Sequence, residues 1–174
     1  IRSLEEKMTY YSEQFEYEKA LLIRDKISNI NLIFEKQRIF LGNHKSEDYI
    51  NIFKDDNDAC VQIFFLRDGK IVGRDHFIFE NIYGEFKESI IEQFIKSFYG
   101  GTAQIPNFIY SPEFFDKDSI EKWINVKAGR KVEFRIPKKG DKKILFDLVE
   151  VNAKMMLRKF KSKKNLRLES KDKT

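Results

Sequence analysis

The run Asp55-Asp56-Asn57-Asp58 places three carboxylates within four residues. Carboxylates that converge on two cations about 4 Å apart are what metal-assisted phosphodiester hydrolysis requires. The first such carboxylate belongs near the centre of a strand. The nearest strand candidate, residues 49–53, contains none, and Asp55, Asp56 and Asp58 fall in the turn after it. A loop of solvated carboxylates is the ordinary reading of that composition, so no metal ligand and no catalytic residue is assigned. His44 and His76 are the only histidines and Cys60 the only cysteine. That excludes an internal disulfide and leaves no zinc-ligand spacing and no basis for a histidine-centred triad. Cys60 lies in an apolar run and reads as a buried structural thiol, consistent with a reducing, cytoplasmic compartment.

The second group with chemical potential is basic. Pro137-Lys138-Lys139-Gly140-Asp141-Lys142-Lys143 sets four lysines at the start of a helix. There the free backbone N–H groups and the helix dipole favour a phosphate. Alternatively, Pro and Gly shape the turn and the lysines stay solvated. Arg130 and Lys131 would join this surface only if the fold brings them near. From residue 154 to the end, nine basic residues face Glu169 and Asp172, a net +7, which leaves about −2 of the chain's +5 for the first 153 residues. A local basic run suggests nucleic acid through counterion release, or a solvated helix end. Both readings stay open. The candidate nucleic-acid contacts are Lys138, Lys139, Lys142, Lys143, Lys154, Arg158 and Lys161.

The elements that must position these groups follow from periodicity. Residues 3–33 read as two helices. Leu4, Met8, Tyr11 and Phe15 share one face, and Ser3 with Glu6 has the spacing of a capping box. Tyr17, Ala20, Arg24 and Ile27 share a face of the second helix. The first helix alone is too short to be stable in water and needs a packing partner. From residue 49 the period changes to two. Strands are expected at residues 49–53, 59–67 and 70–80, with Asp68-Gly69 as a hairpin turn. Ile71, Phe77 and Phe79 mark one face of the third strand, and Gly73 signals a bulge or a close approach. A helix follows on Phe86, Ile90, Ile91, Phe94, Ile95 and Phe98, stopped by Gly100-Gly101. Then come a short strand at 107–110, a helix at 115–126 and a strand at 131–136. A long helix from 140 to 161 has Ile144, Leu145, Leu148, Val149, Ala153, Met156, Leu157 and Phe160 on its apolar side.

The expected architecture is α/β (α+β), an N-terminal helical hairpin followed by a mixed sheet in the order β-β-β-α-β-α-β-α. Its divisions are a hairpin at 1–35, a linker at 36–48, a sheet domain at 49–161 and a basic linker at 162–174. That element order matches the RNase H-like fold, which by itself implies no activity. No apolar run approaches the roughly 20 residues of a membrane-spanning helix. Without an initiator Met and with a start in mid-pattern, the chain reads as a fragment of something longer.

Residues 8–27 resemble the UVR motif shared by UvrB and UvrC. Met8, Glu18, Ala20, Arg24, Asp25 and Ile27 fall at the matching offsets, while Tyr17 replaces the usual Phe and Leu21 the second Ala. The remainder resembles the central region of the UvrC family. The matching stretches are Phe65-Leu66-Arg67-Asp68-Gly69-Lys70-Ile71-Val72-Gly73, Phe94-Ile95-Lys96-Ser97-Phe98-Tyr99, Ile105-Pro106, Pro137-Lys138-Lys139-Gly140-Asp141-Lys142 and Asn152-Ala153, in family order.

The resemblance implies a part of a DNA excision endonuclease that nicks both sides of a lesion delivered by UvrA and UvrB. It places incision in a GIY-YIG domain and in a C-terminal RNase H-like domain whose metals are expected to be Mg or Mn. This chain carries neither signature. It is therefore expected to hold an inactive RNase H-like scaffold without a cofactor of its own. UvrB is expected to dock on Met8, Tyr11, Phe15, Tyr17, Ala20, Leu21, Arg24, Asp25 and Ile27, and DNA to be touched non-specifically. The rival classes are a self-sufficient metal-dependent nuclease and a UVR-bearing regulatory adaptor. The absence of zinc-binding cysteines argues against the adaptor.

Overall fold

In the structure, a computed structural model, residues 45–101 and 104–173 are described, together with Asp25. The expected hairpin and most of the expected linker lie outside them. Eight elements follow in order: β1 (Ser46–Lys54), β2 (Ala59–Arg67), β3 (Lys70–Phe79), α1 (Lys87–Gly101), β4 (Phe108–Tyr110), α2 (Lys117–Ala128), β5 (Glu133–Arg135) and α3 (Gly140–Lys171). This is the expected β-β-β-α-β-α-β-α order. One five-stranded sheet runs β3-β2-β1-β4-β5. The first three strands form the antiparallel meander, while β4 joins β1, and β5 joins β4, in parallel. Asp68 and Gly69 both take positive φ (54° and 76°), the conformation that a two-residue hairpin turn demands.

The two sheet faces carry separate cores because successive strand residues point to opposite sides. Ile50, Ile52, Val61 and Ile63 pack with Ile90, Ile91, Phe94 and Ile95 of α1 and Ile120 and Ile124 of α2. Tyr49, Phe64, Leu66 and Tyr110 face Leu145, Phe146, Leu148 and Val149 of α3. Both faces being covered explains why β1 and β2 read as nearly unbroken apolar runs. Phe65 pairs with Gly73, yet Leu66 pairs with Ile71, so Val72 is the extra residue of a bulge. A Cβ at Gly73 would lie 3.4 Å from the Phe65 ring, which shows how closely the strands approach there.

The bulge corrects one expectation. Ile71 does not share a face with Phe77 and Phe79, because one inserted residue reverses the side-chain alternation. Ile71 packs on the α3 side and the two phenylalanines on the α1 side. On α3 the buried face includes Phe146 and Asn152, whereas Ile144 is half exposed.

β1 begins at Ser46, earlier than residue 49, and this brings Glu47 and Asp48 into the strand. Asp48 is buried at 1% exposure. Its Oδ1 accepts from Arg67 of β2 at 3.0 Å and its Oδ2 accepts from the Tyr99 hydroxyl of α1 at 2.7 Å. Burial raises the Asp48 pKa even though Tyr99 and Arg67 favour the charged form. Burial, together with the Asp48 charge, also pushes the Tyr99 hydroxyl well above its usual value.

The turn after β1 is built rather than solvated. Asp55 accepts from the N–H groups of Asn57 at 3.0 Å and Asp58 at 2.8 Å, and Asp58 accepts from the Asn81 N–H at 3.1 Å. The Lys161 ammonium of α3 bonds Asp55 and lies 3.3 Å from Asp58. Only Asp56 and Asn57 are exposed as the composition suggested.

Asp48→Ala, which leaves the Tyr99 hydroxyl without its acceptor and the largely covered Arg67 guanidinium with backbone carbonyls alone, is expected to cost about 2–4 kcal/mol of stability in urea denaturation. Asp48→Asn keeps an acceptor, removes the buried charge and should cost clearly less. Asp55 carries the opposite pH signature. Partial burial acts against its carboxylate, but Lys161 and the Asp58 and Asn57 amides outweigh that and hold its pKa below the usual value. Its stabilisation is therefore present above the unfolded-chain pKa and lost as pH falls through the lower folded-state one. Thermal melts should show Asp55→Asn less stable than the parent by about 1 kcal/mol at neutral pH, with the gap closing in acid.

Candidate functional site

The start of α3 is assembled from the ends of β4 and β5. Pro137 is buried, and Gly140 takes φ +76° as the chain turns into the helix. Lys139 occupies the N-cap position without a side-chain cap, so the first amides are not closed by a side chain. Lys138 and Lys139 are exposed. The Lys142 ammonium lies 4.9 Å from the Tyr110 ring centroid, donates to the Tyr110 hydroxyl at 2.5 Å and sits 3.7 Å from Glu47. Tyr110 stacks on Tyr49 at 4.4 Å, and burial, with Glu47 beside it, pushes its hydroxyl up to about 12. Lys143 pairs with Asp147 at 2.7 Å along its own helix.

Two cations that the motif does not include belong to the same surface. Lys45 and Arg135 lie over the Phe108 ring, 5.5 Å and 4.5 Å from its centroid. Glu133 bonds Arg135 at 2.7 Å, and Arg135 with Lys131 holds the Glu133 carboxyl below its usual range. The charge alternation Lys131, Glu133, Arg135 is visible in the sequence as one strand face, but its closeness to Lys45 comes from the parallel joining of β1, β4 and β5. Arg130 instead donates to the Pro106 and Ile105 carbonyls, and Lys131 pairs with Glu133 at 3.3 Å.

The remaining candidates lie further along α3. From Lys142 to Lys161 the helix rises about 28 Å at 1.5 Å per residue, so the seven residues form two groups rather than one cluster. Lys154 lies over the Phe53 ring at 5.2 Å and Arg158 is exposed. Lys161 is engaged by Asp55 and Asp58, and Lys164, one turn on, meets Glu80 at 2.7 Å. Residues 162–171, expected as a linker, continue the helix and are exposed throughout. Lys138, Lys139, Lys154 and Arg158 are therefore the candidates whose charges have no ion-pair partner among the described residues.

A two-metal centre would need carboxylates on one side of the sheet. Glu47 and Asp48 are consecutive on β1 and serve opposite faces, one with Tyr110 and Lys142, the other with Tyr99 and Arg67. Among the described residues no group of three or more His, Cys, Asp or Glu side chains could hold a metal ion. Cys60 is fully buried, and that burial pushes its thiol up to about 12, far from a nucleophilic thiolate. Of the expected partner-docking residues, Met8, Tyr11, Phe15, Tyr17, Ala20, Leu21, Arg24 and Ile27 lie outside the described residues. Asp25 is helical and exposed.

A family model described as the UvrC Ribonuclease H-like domain matches residues 46–160, and one described as the UvrB/uvrC motif matches residues 1–33. Among curated proteins, UvrABC system protein C of Clostridium acetobutylicum is 48% identical over 163 residues, covering 94% of this chain and 26% of that protein. Its counterpart in Clostridium perfringens strain SM101 is 49% identical over 164 residues, with the same 94% and 26% coverage. The chain spans about a quarter of the length of the curated relatives it matches. A match to the UvrC Ribonuclease H-like model from the first strand through most of α3, joined to near-half identity over almost the whole chain, shows that the chain belongs to the UvrC family.

Proposed function

We propose that this chain is the partner-docking and scaffold segment of a nucleotide excision repair nuclease, working in the cytoplasm and without a cofactor of its own. The observation that carries the reading is the combination of a UVR motif with a sheet domain whose strand carboxylates are engaged internally. A carboxylate that already answers Arg67 and Tyr99 is a structural member, so the domain's role is to hold position. Incision, with Mg or Mn, falls to nuclease domains of the longer protein. Among the described residues no helix is long and apolar enough to cross a membrane.

UvrB is the proposed partner of the hairpin. Tyr17, Leu21 and Ile27 supply apolar anchors beside Met8, Tyr11, Phe15 and Ala20, with Arg24 and Asp25 as a polar rim that sets register. DNA contact is proposed for Lys138, Lys139, Lys154 and Arg158, with Lys142, Lys143 and Lys161 contributing field while bound to their own carboxylates and hydroxyls. Phosphate contacts of this kind carry no sequence information and fade with salt.

A titration of this chain with the C-terminal tail of UvrB tests the docking role. Tyr17→Ala or Arg24→Ala should weaken the complex by about 1–3 kcal/mol while the circular dichroism of the sheet domain stays unchanged. Undiminished binding by both variants would remove the hairpin assignment. For DNA, fluorescence anisotropy with a labelled duplex should give micromolar or weaker affinity near physiological salt. Lys138→Glu with Lys139→Glu, and separately removal of residues 162–174, should each weaken it. Tight binding that survives high salt would put the contact elsewhere.

A further inference from the structure

Two exposed phenylalanines stand at the edge of the α1–α2 face. Phe86, just before α1, is 67% exposed and Phe115, just before α2, is 65% exposed. Their rings meet edge to face at 6.3 Å. Tyr83, earlier in the first of these segments, is 82% exposed. The pair rests on a built frame. The Glu92 carboxylate accepts from the Asp116 N–H at 3.1 Å and ties the second segment to α1. Phe114 turns inward onto Phe134 at 5.4 Å, which leaves Phe115 facing out. Next to it a cleft of about 330 Å³ opens between Pro112, Phe114, Phe134 and Ile136.

The charge around these rings says what would cover them. Residues 81–92 and 113–121 hold seven acidic side chains (Glu85, Glu88, Glu92, Glu113, Asp116, Asp118, Glu121) against Lys87 and Lys117, a net −5 in a chain of net +5, or −4 once Lys96, paired with Glu92 at 3.0 Å, is included. Lys117 is answered by Glu121 at 3.7 Å, and Arg135 at the cleft rim by Glu133. Glu85, Glu88, Glu113 and Asp118 have no ion-pair partner among the described residues. Exposed aromatic rings beside basic residues would suit an unpaired base and its phosphate. Here the same rings are circled by carboxylates, which repel phosphate. Large aromatic anchors with a charged rim are the composition of a protein-binding surface.

We propose that Phe86 and Phe115, with the cleft beside them and the surrounding carboxylates, form a docking surface for a lysine- and arginine-rich polypeptide segment that inserts an aliphatic side chain. The rings stand on the α1–α2 side of the sheet while α3 packs on the other, with Arg135 at the cleft rim between them, so the domain would engage a basic partner on one face and phosphate on another.

The test uses the full 174-residue chain and a short, fluorescently labelled amphipathic peptide of lysine and leucine. Anisotropy should show saturable binding that raised salt weakens. A control peptide with serine in place of leucine should bind about tenfold more weakly or worse. Phe86→Ser with Phe115→Ser should weaken the leucine peptide by at least about tenfold, and Glu85→Lys with Asp118→Lys should do so without touching the rings. Unchanged circular dichroism and Trp123 fluorescence establish that each variant is folded. Absence of saturable peptide binding, or equal affinity in the folded phenylalanine variant, would overturn the proposal. So would binding of oligothymidylate that the same variant abolishes, since the surface would then be a nucleic-acid platform.

Discussion

A carboxylate taken out of water must be answered by donors, and in this domain the demand of Asp48 fixes how three elements meet. One oxygen is bound to Arg67 at the end of β2 and the other to Tyr99 in the last turns of α1. Arg67 also donates to the Leu66 and Glu47 carbonyls at 2.8 Å and 3.3 Å, so the guanidinium fits only if β1 and β2 keep their register. Tyr99 meets Phe98 edge-on at 5.0 Å, and Phe98 contacts Phe94, Phe65 and Phe77. The seat of α1 on the sheet is thus coupled to a single polar contact at its centre. Apolar packing alone would tolerate sliding, whereas a bonded buried charge has one satisfactory geometry.

The same economy of donors shapes what the domain can do. Four acidic groups near the strand ends meet a cation or hydroxyl from another element: Glu47 with Lys142 and Tyr110, Asp55 and Asp58 with Lys161, Glu80 with Lys164. These long-range pairs draw α3 along the sheet from the β4 end to the β1–β2 turn. Carboxylates arranged this way hold a helix in place, and the framework they make is suited to presenting surfaces.

Much of the fold was legible because local signals agreed with the global pattern. Asp68-Gly69 signals a hairpin, Gly73 a bulge or a close approach, Gly100-Gly101 a helix end, and each is found where its chemistry requires. The exceptions involve a second element. Ile71 was assigned to the wrong face because a bulge reverses alternation, a change that no count of period two contains. β1 seemed to start at Tyr49 because Glu47 and Asp48 are poor strand formers, and only Arg67, Tyr99, Tyr110 and Lys142, all distant in the chain, make them welcome inside. The lysines were legible as charge, but which were occupied depended on Asp147, Tyr110 and Asp55. Phe86 reads as part of the apolar side of its helix and Phe115 only as a helix start, since a Phe-rich composition does not say which rings the helices leave uncovered.

α3 is one continuous helix of 32 residues, about 48 Å long at 1.5 Å per residue. Its first part is clamped to the sheet, and Lys161 and Lys164 tie it down where it leaves the body. Beyond that point the helix acts as an indexed shaft. Its length sets distance and its 3.6-residue pitch sets angular phase, so one residue added or removed between Lys164 and Lys171 would swing a group attached at Lys171 by about 100° while moving it only about 1.5 Å. Orientation, far more than reach, is the quantity this shaft encodes.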